Sequence, residues 1–147
     1  MRKFKFNLEA VLTIRQKELE DERINLASIT NVYNKQKEVL EEMKYTLAKI
    51  EQDSENSLQL MDFNISLISS YSSFYQKVSN DIKVQEQIIE KTYQDVLKQQ
   101  ETTKTAYIKV KSLENLKEKQ KAQYLKELQL EEIKELDDIV NSKRLSA

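Results

Sequence analysis

The chain contains no glycine, no proline, no cysteine, no histidine and no tryptophan. Turns normally draw on Gly or Pro, so their absence favours a few very long helices over a globule of many short elements. Without Cys there is no disulfide framework and no thiol chemistry, and the composition is compatible with the cytoplasm. Without Gly there is no phosphate-cradling loop and no dinucleotide fingerprint. Without His or Cys there is no catalytic triad or dyad built on either, no imidazole acid or base near neutrality and no zinc site of the usual ligand types. Carboxylates, lysines, tyrosines and serines remain. The pairs Glu41/Glu42 and Glu131/Glu132 read either as paired carboxylates or divalent-cation ligands, or as solvated surface. With no pocket implied to shift their pKa values, the solvated reading is preferred. The chain is expected to be no enzyme and to carry no cofactor or metal.

Charge of one sign is also lacking: 24 Lys and Arg offset 25 Asp and Glu, for a net charge of −1. Phosphate neutralisation needs a basic face, so no nucleic-acid partner is expected. No small-molecule substrate is expected either. Arg2, Lys3 and Lys5 interleave with Phe4 and Phe6. That cluster reads as a contact for an acidic partner or anionic lipid, or more simply as a solvated helix start with two anchoring rings. Charges break every apolar run near the N-terminus, so no signal peptide is read there.

What is present is a pattern. From Leu12 to Ile50 the core positions are Leu12, Arg15, Leu19, Glu22, Leu26, Ile29, Tyr33, Gln36, Leu40, Met43, Leu47 and Ile50, alternating three and four apart. A 3.5-residue repeat keeps one row facing a partner helix and winds the two left-handedly. One row is Leu-rich and the other is interrupted by Arg15, Glu22 and Gln36. The first arm is expected over about 7–55, with Asn7 as N-cap and Glu9 complementing the helix dipole. Ser54 and Ser57 are its last core positions.

Between Glu55 and Lys77 the one charged residue is Asp62, while Leu58, Leu60, Met61, Phe63, Ile65, Leu67, Ile68, Tyr71, Phe74 and Tyr75 crowd the interval. The chain is expected to turn here, over an apolar tip at about 56–70, with Asp62 and Asn64 as the available caps. Ser, Asn, Gln and Asp interrupt it too often for a membrane span. Its side chains either plug the end of a hairpin or form a surface patch for a partner.

The second arm, about 71–141, repeats the alternation through Tyr75, Val78, Ile82, Gln85, Ile89, Thr92, Val96, Gln99, Thr103, Ala106, Val110 and Leu113. After Leu113 the frame reads as slipping, because Leu116, Tyr124, Leu128, Ile133, Leu136 and Val140 do not share one register. The helix is expected to fray near Asn141, leaving 142–147 disordered. The whole of 1–147 then reads as one all-α domain, a long antiparallel two-helix coiled-coil hairpin with unequal arms. Folding about residue 63 would set Leu12 opposite roughly position 114. A parallel homodimer is the competing use of the same seams.

Three segments resemble a known family. They are Phe4-Lys5-Phe6-Asn7-Leu8-Glu9-Ala10-Val11-Leu12-Thr13-Ile14-Arg15-Gln16-Lys17-Glu18, then Tyr71-Ser72-Ser73-Phe74-Tyr75 with Val78, Ile82 and Gln85, then Lys111-Ser112-Leu113-Glu114-Asn115-Leu116-Lys117-Glu118-Lys119 with Tyr124 and Glu135-Leu136-Asp137-Asp138. In order and spacing they resemble the flagellar FliJ family. The resemblance implies an antiparallel coiled coil similar to a rotary-ATPase stalk, cytoplasmic and peripheral to the inner membrane at the flagellar base. Its implied partners are the hexameric flagellar type III export ATPase, the cytoplasmic linker of the export-gate membrane protein, and export chaperones. Carried over by position, the ATPase-ring contacts would be Leu8, Leu12, Arg15, Lys17, Leu116 and Lys119. The export-gate contacts would be Met43, Ile50, Phe74, Val78 and Gln85, several of which also sit on the seam and read equally as core. The chain departs from the family near Thr46, where an aromatic is expected, and at Asp81, where a small apolar residue is. A generic tether or dimeric spacer is the alternative that the seams alone would support.

Overall fold

The computed structural model describes residues 2–59 and 65–145. It contains α1, Glu9–Gln59, of 51 residues, and α2, Ile65–Leu145, of 81 residues. There is no strand among the described residues. The fold is an all-α helical hairpin with unequal arms. Neither helix contains a residue that would break it, which is the direct consequence of a chain without Gly or Pro.

The chain divides into two compact units, Met1–Asp21 with Lys104–Ala147, and Glu22–Thr103. In the first, Phe4 meets Tyr124 with ring centroids 5.7 Å apart and the Lys117 ammonium meets the Glu9 carboxylate at 2.8 Å. In the second, Glu22 meets Gln99, Tyr33 meets Tyr93 at 5.8 Å, Gln36 meets Gln85, and Ser57 meets Tyr71 at 3.5 Å. Within each unit the numbering falls on one arm as it rises on the other, so the arms are antiparallel and pair inside one chain.

The seam is the one read from the three-four spacing. On α1 every core position from Leu12 to Ile50, and then Ser54 and Ser57, is buried or half-buried while its neighbours are mostly exposed. On α2 the same holds from Val78 to Leu113; Tyr75, 37% exposed, lies at the edge. The best-buried cluster joins Phe6, Leu12, Leu19 and Val110, with Phe4, Ala106 and Leu113 packed against it, which sets Leu12 beside the part of α2 that folding about residue 63 requires. No described side chain is less than 2% exposed. Two helices make a single contact stripe, and each core residue keeps one edge toward water.

Four local features differ from the sequence reading. Helix α1 starts at Glu9 rather than Asn7. Its first bond runs from the Leu12 amide to the Leu8 carbonyl (2.8 Å), after a turn in which the Glu9 amide donates to the Phe6 carbonyl (3.1 Å). Burial of Phe6 explains the delay: residues 2–6 must lie along the seam before the chain enters the helix. Second, α1 continues past 55 to Gln59, because the polar run 52–57 lacks a breaker and Ser54 and Ser57 still face α2. Third, α2 runs to Leu145 instead of fraying at Asn141, with Lys143 and Arg144 in its last turn complementing the C-terminal partial negative charge. Fourth, the frame holds past Leu113 as far as Tyr124 and slips only there: Lys117 and Tyr124 are half-buried in continuation of the same alternation, Leu116 is 37% exposed, and the half-buried Leu128 falls one residue off the frame. A lysine can serve in the frame because its aliphatic stem covers the seam while its ammonium reaches Glu9. The expected caps Asp62 and Asn64, and the tip residues Leu60, Met61 and Phe63, lie outside the described residues, as do Ser146 and Ala147.

Leu19→Ala, at a position 6% exposed, is expected to cost about 2–4 kcal/mol. Glu20→Ala, exposed beside it, is expected to change stability by less than about 0.5 kcal/mol. Urea unfolding of full-length protein measures both, and equal effects at the two sites would contradict this seam.

Candidate functional site

No group of His, Cys, Asp or Glu able to hold a metal ion exists among the described residues, and no described helix is long and apolar enough to cross a membrane.

In the unit Met1–Asp21 with Lys104–Ala147, the non-helical segment 2–6 lies on α2. Phe6 is buried, the Phe4 ring packs at a tilt on Tyr124, and the Tyr124 hydroxyl donates to the Arg2 carbonyl. Arg2, Lys3 and Lys5 project around a cleft whose other side carries Glu127, Leu128 and Glu131. The two phenylalanines therefore anchor the segment, and the three cations stay at the surface. Beyond Tyr124, residues 125–145 continue as helix and all but Leu128 are exposed. Leu130, Ile133, Leu136, Ile139 and Val140 are each at least half exposed.

The six ring candidates lie in this unit and separate by burial. Leu12 is 3% exposed and belongs to the core. Arg15 is half-buried and its guanidinium pairs with Glu18 at 2.9 Å, an i,i+3 bridge along the surface of α1. Leu8 and Leu116 are each 37% exposed, and Lys17 and Lys119 are exposed.

In the unit Glu22–Thr103, a shallow groove of about 390 Å³ opens between the last turns of α1 and the first turns of α2. Ile50, Ser54, Ile68, Tyr71 and Tyr75 line it. Leu58, Ile65, Leu67, Ile68 and Phe74 are exposed around it, so the described part of the apolar tip is surface and not a plug. Of the five gate candidates, Ile50, Val78 and Gln85 are buried in the seam and Met43 is half-buried in it. Phe74, 47% exposed, is the one that faces outward. Gln85 is occupied: its amide donates to the Gln36 side-chain oxygen at 2.7 Å and to the Gln36 carbonyl at 2.9 Å.

A family model described as Flagellar FliJ protein matches residues 4–145. The chain belongs to the flagellar FliJ family. No curated protein and no solved structure gives a significant match. Membership makes this a flagellar type III export-associated protein of a non-catalytic accessory family. For a FliJ-family chain the useful observation is which matched residues are free to touch something else. Sequence reasoning ranked family positions without knowing burial, so it placed Leu12, Ile50, Val78 and Gln85 beside Leu8 and Phe74. It also left the exposed residues Leu130, Ile133, Leu136 and Ile139 out of the candidate surface. Their signal was apolar residues on α2 for which α1 has no matching stripe.

Tyr124→Ala, which removes both the ring contact and the hydrogen bond to Arg2, is expected to release the N-terminal segment. Limited trypsin digestion read by mass spectrometry should show cleavage at Lys5 accelerate while cleavage within α1 stays at the wild-type rate.

Proposed function

We propose that this protein is the stalk of the flagellar type III export machinery. The part of the hairpin carrying both chain ends sits in the hexameric export ATPase. The tip-proximal part addresses the cytoplasmic linker of the export-gate membrane protein, beside the inner membrane, and the protein escorts export chaperones as well. The family match over residues 4–145 carries this reading. It is supported by the exposed apolar row on 125–145 and by a second exposed apolar region around Phe74 and Ile68. An apolar surface on each unit suits a protein that couples two partners and has no chemistry of its own.

Within the ring surface the candidates with area to offer are Leu8, Lys17, Leu116 and Lys119, while Arg15 contributes through the face it shares with Glu18 and Leu12 holds the helix that presents them. Within the gate surface Phe74 makes the contact, and Met43, Ile50, Val78 and Gln85 set the spacing of the two arms behind it. A shaft of mixed charge suits a ring lining that holds it without gripping, because exposed ion pairs are individually weak.

ATP hydrolysis by the cognate export ATPase should rise when the full-length protein is added. Leu116→Ala combined with Lys119→Ala, both at the surface, should leave the melting temperature unchanged and weaken binding to the ATPase about tenfold. Phe74→Ala should weaken capture of the gate linker and leave ATPase stimulation intact. Absence of stimulation and of co-elution with the ATPase would rule out the stalk reading.

A further inference from the structure

The apolar part of the seam cannot by itself choose how the arms align. A three-four repeat returns apolar rows against apolar rows whenever one arm is displaced by a heptad, so several alignments bury similar surfaces. What differs between alignments is the fate of the polar groups in the seam.

Two polar clamps of the same design lie in the unit Glu22–Thr103. In one, the Gln85 amide, on a residue 5% exposed, donates to both the side-chain oxygen and the main-chain carbonyl of Gln36 (2.7 and 2.9 Å). In the other, the Gln99 amide donates to the Glu22 carboxylate and, at 3.2 Å, to the Glu22 carbonyl. The Thr103 hydroxyl lies 3.3 Å from that same carbonyl. Each clamp thus ties a glutamine of α2 to side chain and backbone of one residue of α1. The two clamps are two heptads apart on α1, Glu22 to Gln36, and two heptads apart on α2, Gln85 to Gln99, so both close together in one alignment.

A displacement by one heptad undoes both. In one direction Gln85 would face Met43 and Gln99 would face Ile29; in the other Gln36 would face Val78 and Gln85 would face Ile29. In either direction the buried Gln85 amide would lie against an apolar side chain with no partner, the costly outcome for a polar group. A displacement by two heptads closes at most one clamp. We propose that the Gln36–Gln85 and Glu22–Gln99 clamps are the register lock of the hairpin, selecting the alignment in which the surfaces of the two arms come together. Buried polar residues act this way in coiled coils, where they specify register at some cost in stability.

The absence of cysteine makes the test clean, since any disulfide must join introduced residues. In the full-length chain, Ile29→Cys with Val96→Cys, one heptad along both arms from the Glu22–Thr103 contact, reports the observed alignment. Ile50→Cys with Ile82→Cys, and Met43→Cys with Tyr75→Cys, report the two one-heptad displacements. With the clamps intact the first pair should oxidise and the other two should not. With Glu22, Gln36, Gln85 and Gln99 all replaced by Leu, the melting temperature should hold or rise, and disulfide at the displaced pairs should increase about tenfold or more relative to the first pair, the ratio that loss of one clamp's preference implies. A second variant moves the lock: Gln85→Thr, Thr92→Gln and Gln99→Thr puts the glutamine of α2 in reach of Gln36 in one displacement and of Glu22 in the other, and should shift oxidation from the first pair to the displaced pairs. If the all-Leu variant oxidises at the first pair alone, the connection between the arms sets the register and the proposal fails. A lower melting temperature with that one alignment retained would overturn it too, by showing the clamps to be merely stabilising.

Discussion

The rest of this structure depends on the mutual burial of two narrow apolar stripes. Each helix has one face worth hiding, with large side chains roughly every 3.5 residues, and neither face can be satisfied by its own helix. The arms provide for each other: Leu12, Leu19 and Val110 pack in one cluster, and Ile50, Val78 and Val96 are buried elsewhere along the seam. Because the core is a single stripe, its residues stay partly open and everything beside it is surface. The protein is accordingly mostly outer face, which suits the export-associated role that membership of the FliJ family gives it.

The stripe is not uniformly greasy, and its polar positions have distinct consequences. Gln36, Gln85, Glu22, Gln99 and Thr103 place hydrogen bonds across the seam where a purely aliphatic interface would have been tighter but less discriminating. Lys117 does something similar by different means, extending the frame with its methylene stem and closing it with the Glu9 carboxylate. That bridge is largely solvated and adds little stability. Its effect is to keep α2 in frame as far as Tyr124, where Phe4 and the Arg2 carbonyl complete the pairing.

Much of this was legible in the residue order. The three-four spacing from Leu12 to Ile50 and from Val78 to Leu113 identified nearly every buried position, because helical periodicity is a local property and nothing in the chain interrupts it. Leu116 was misleading for a physical reason: an apolar residue is the natural candidate for a seam, and an ion pair joining residues as far apart as 9 and 117 leaves no local trace. Glu22 and Gln36 were read as gaps in a greasy row, and they become acceptors once Gln99 and Gln85 are known to lie opposite. The candidate surface was legible in location but not in membership. Family positions pointed to Ile50, Val78 and Phe74 alike, and exposure separates Phe74 from the other two.

What the order of residues determined by itself is the helix content, the face each helix hides and the exclusion of chemistry that needs His, Cys or Gly, since all three follow from which side chains are present and how they are spaced. What only the tertiary structure decided is which residue of one arm meets which residue of the other, and hence which apolar side chains are used up in the seam and which remain outside. Pairings such as Glu9 with Lys117, Gln36 with Gln85 and Phe4 with Tyr124 join parts of the chain that have no local relation to one another. The heptad repeat is degenerate toward shifts of its own period, so those pairings had to be read from the folded arms.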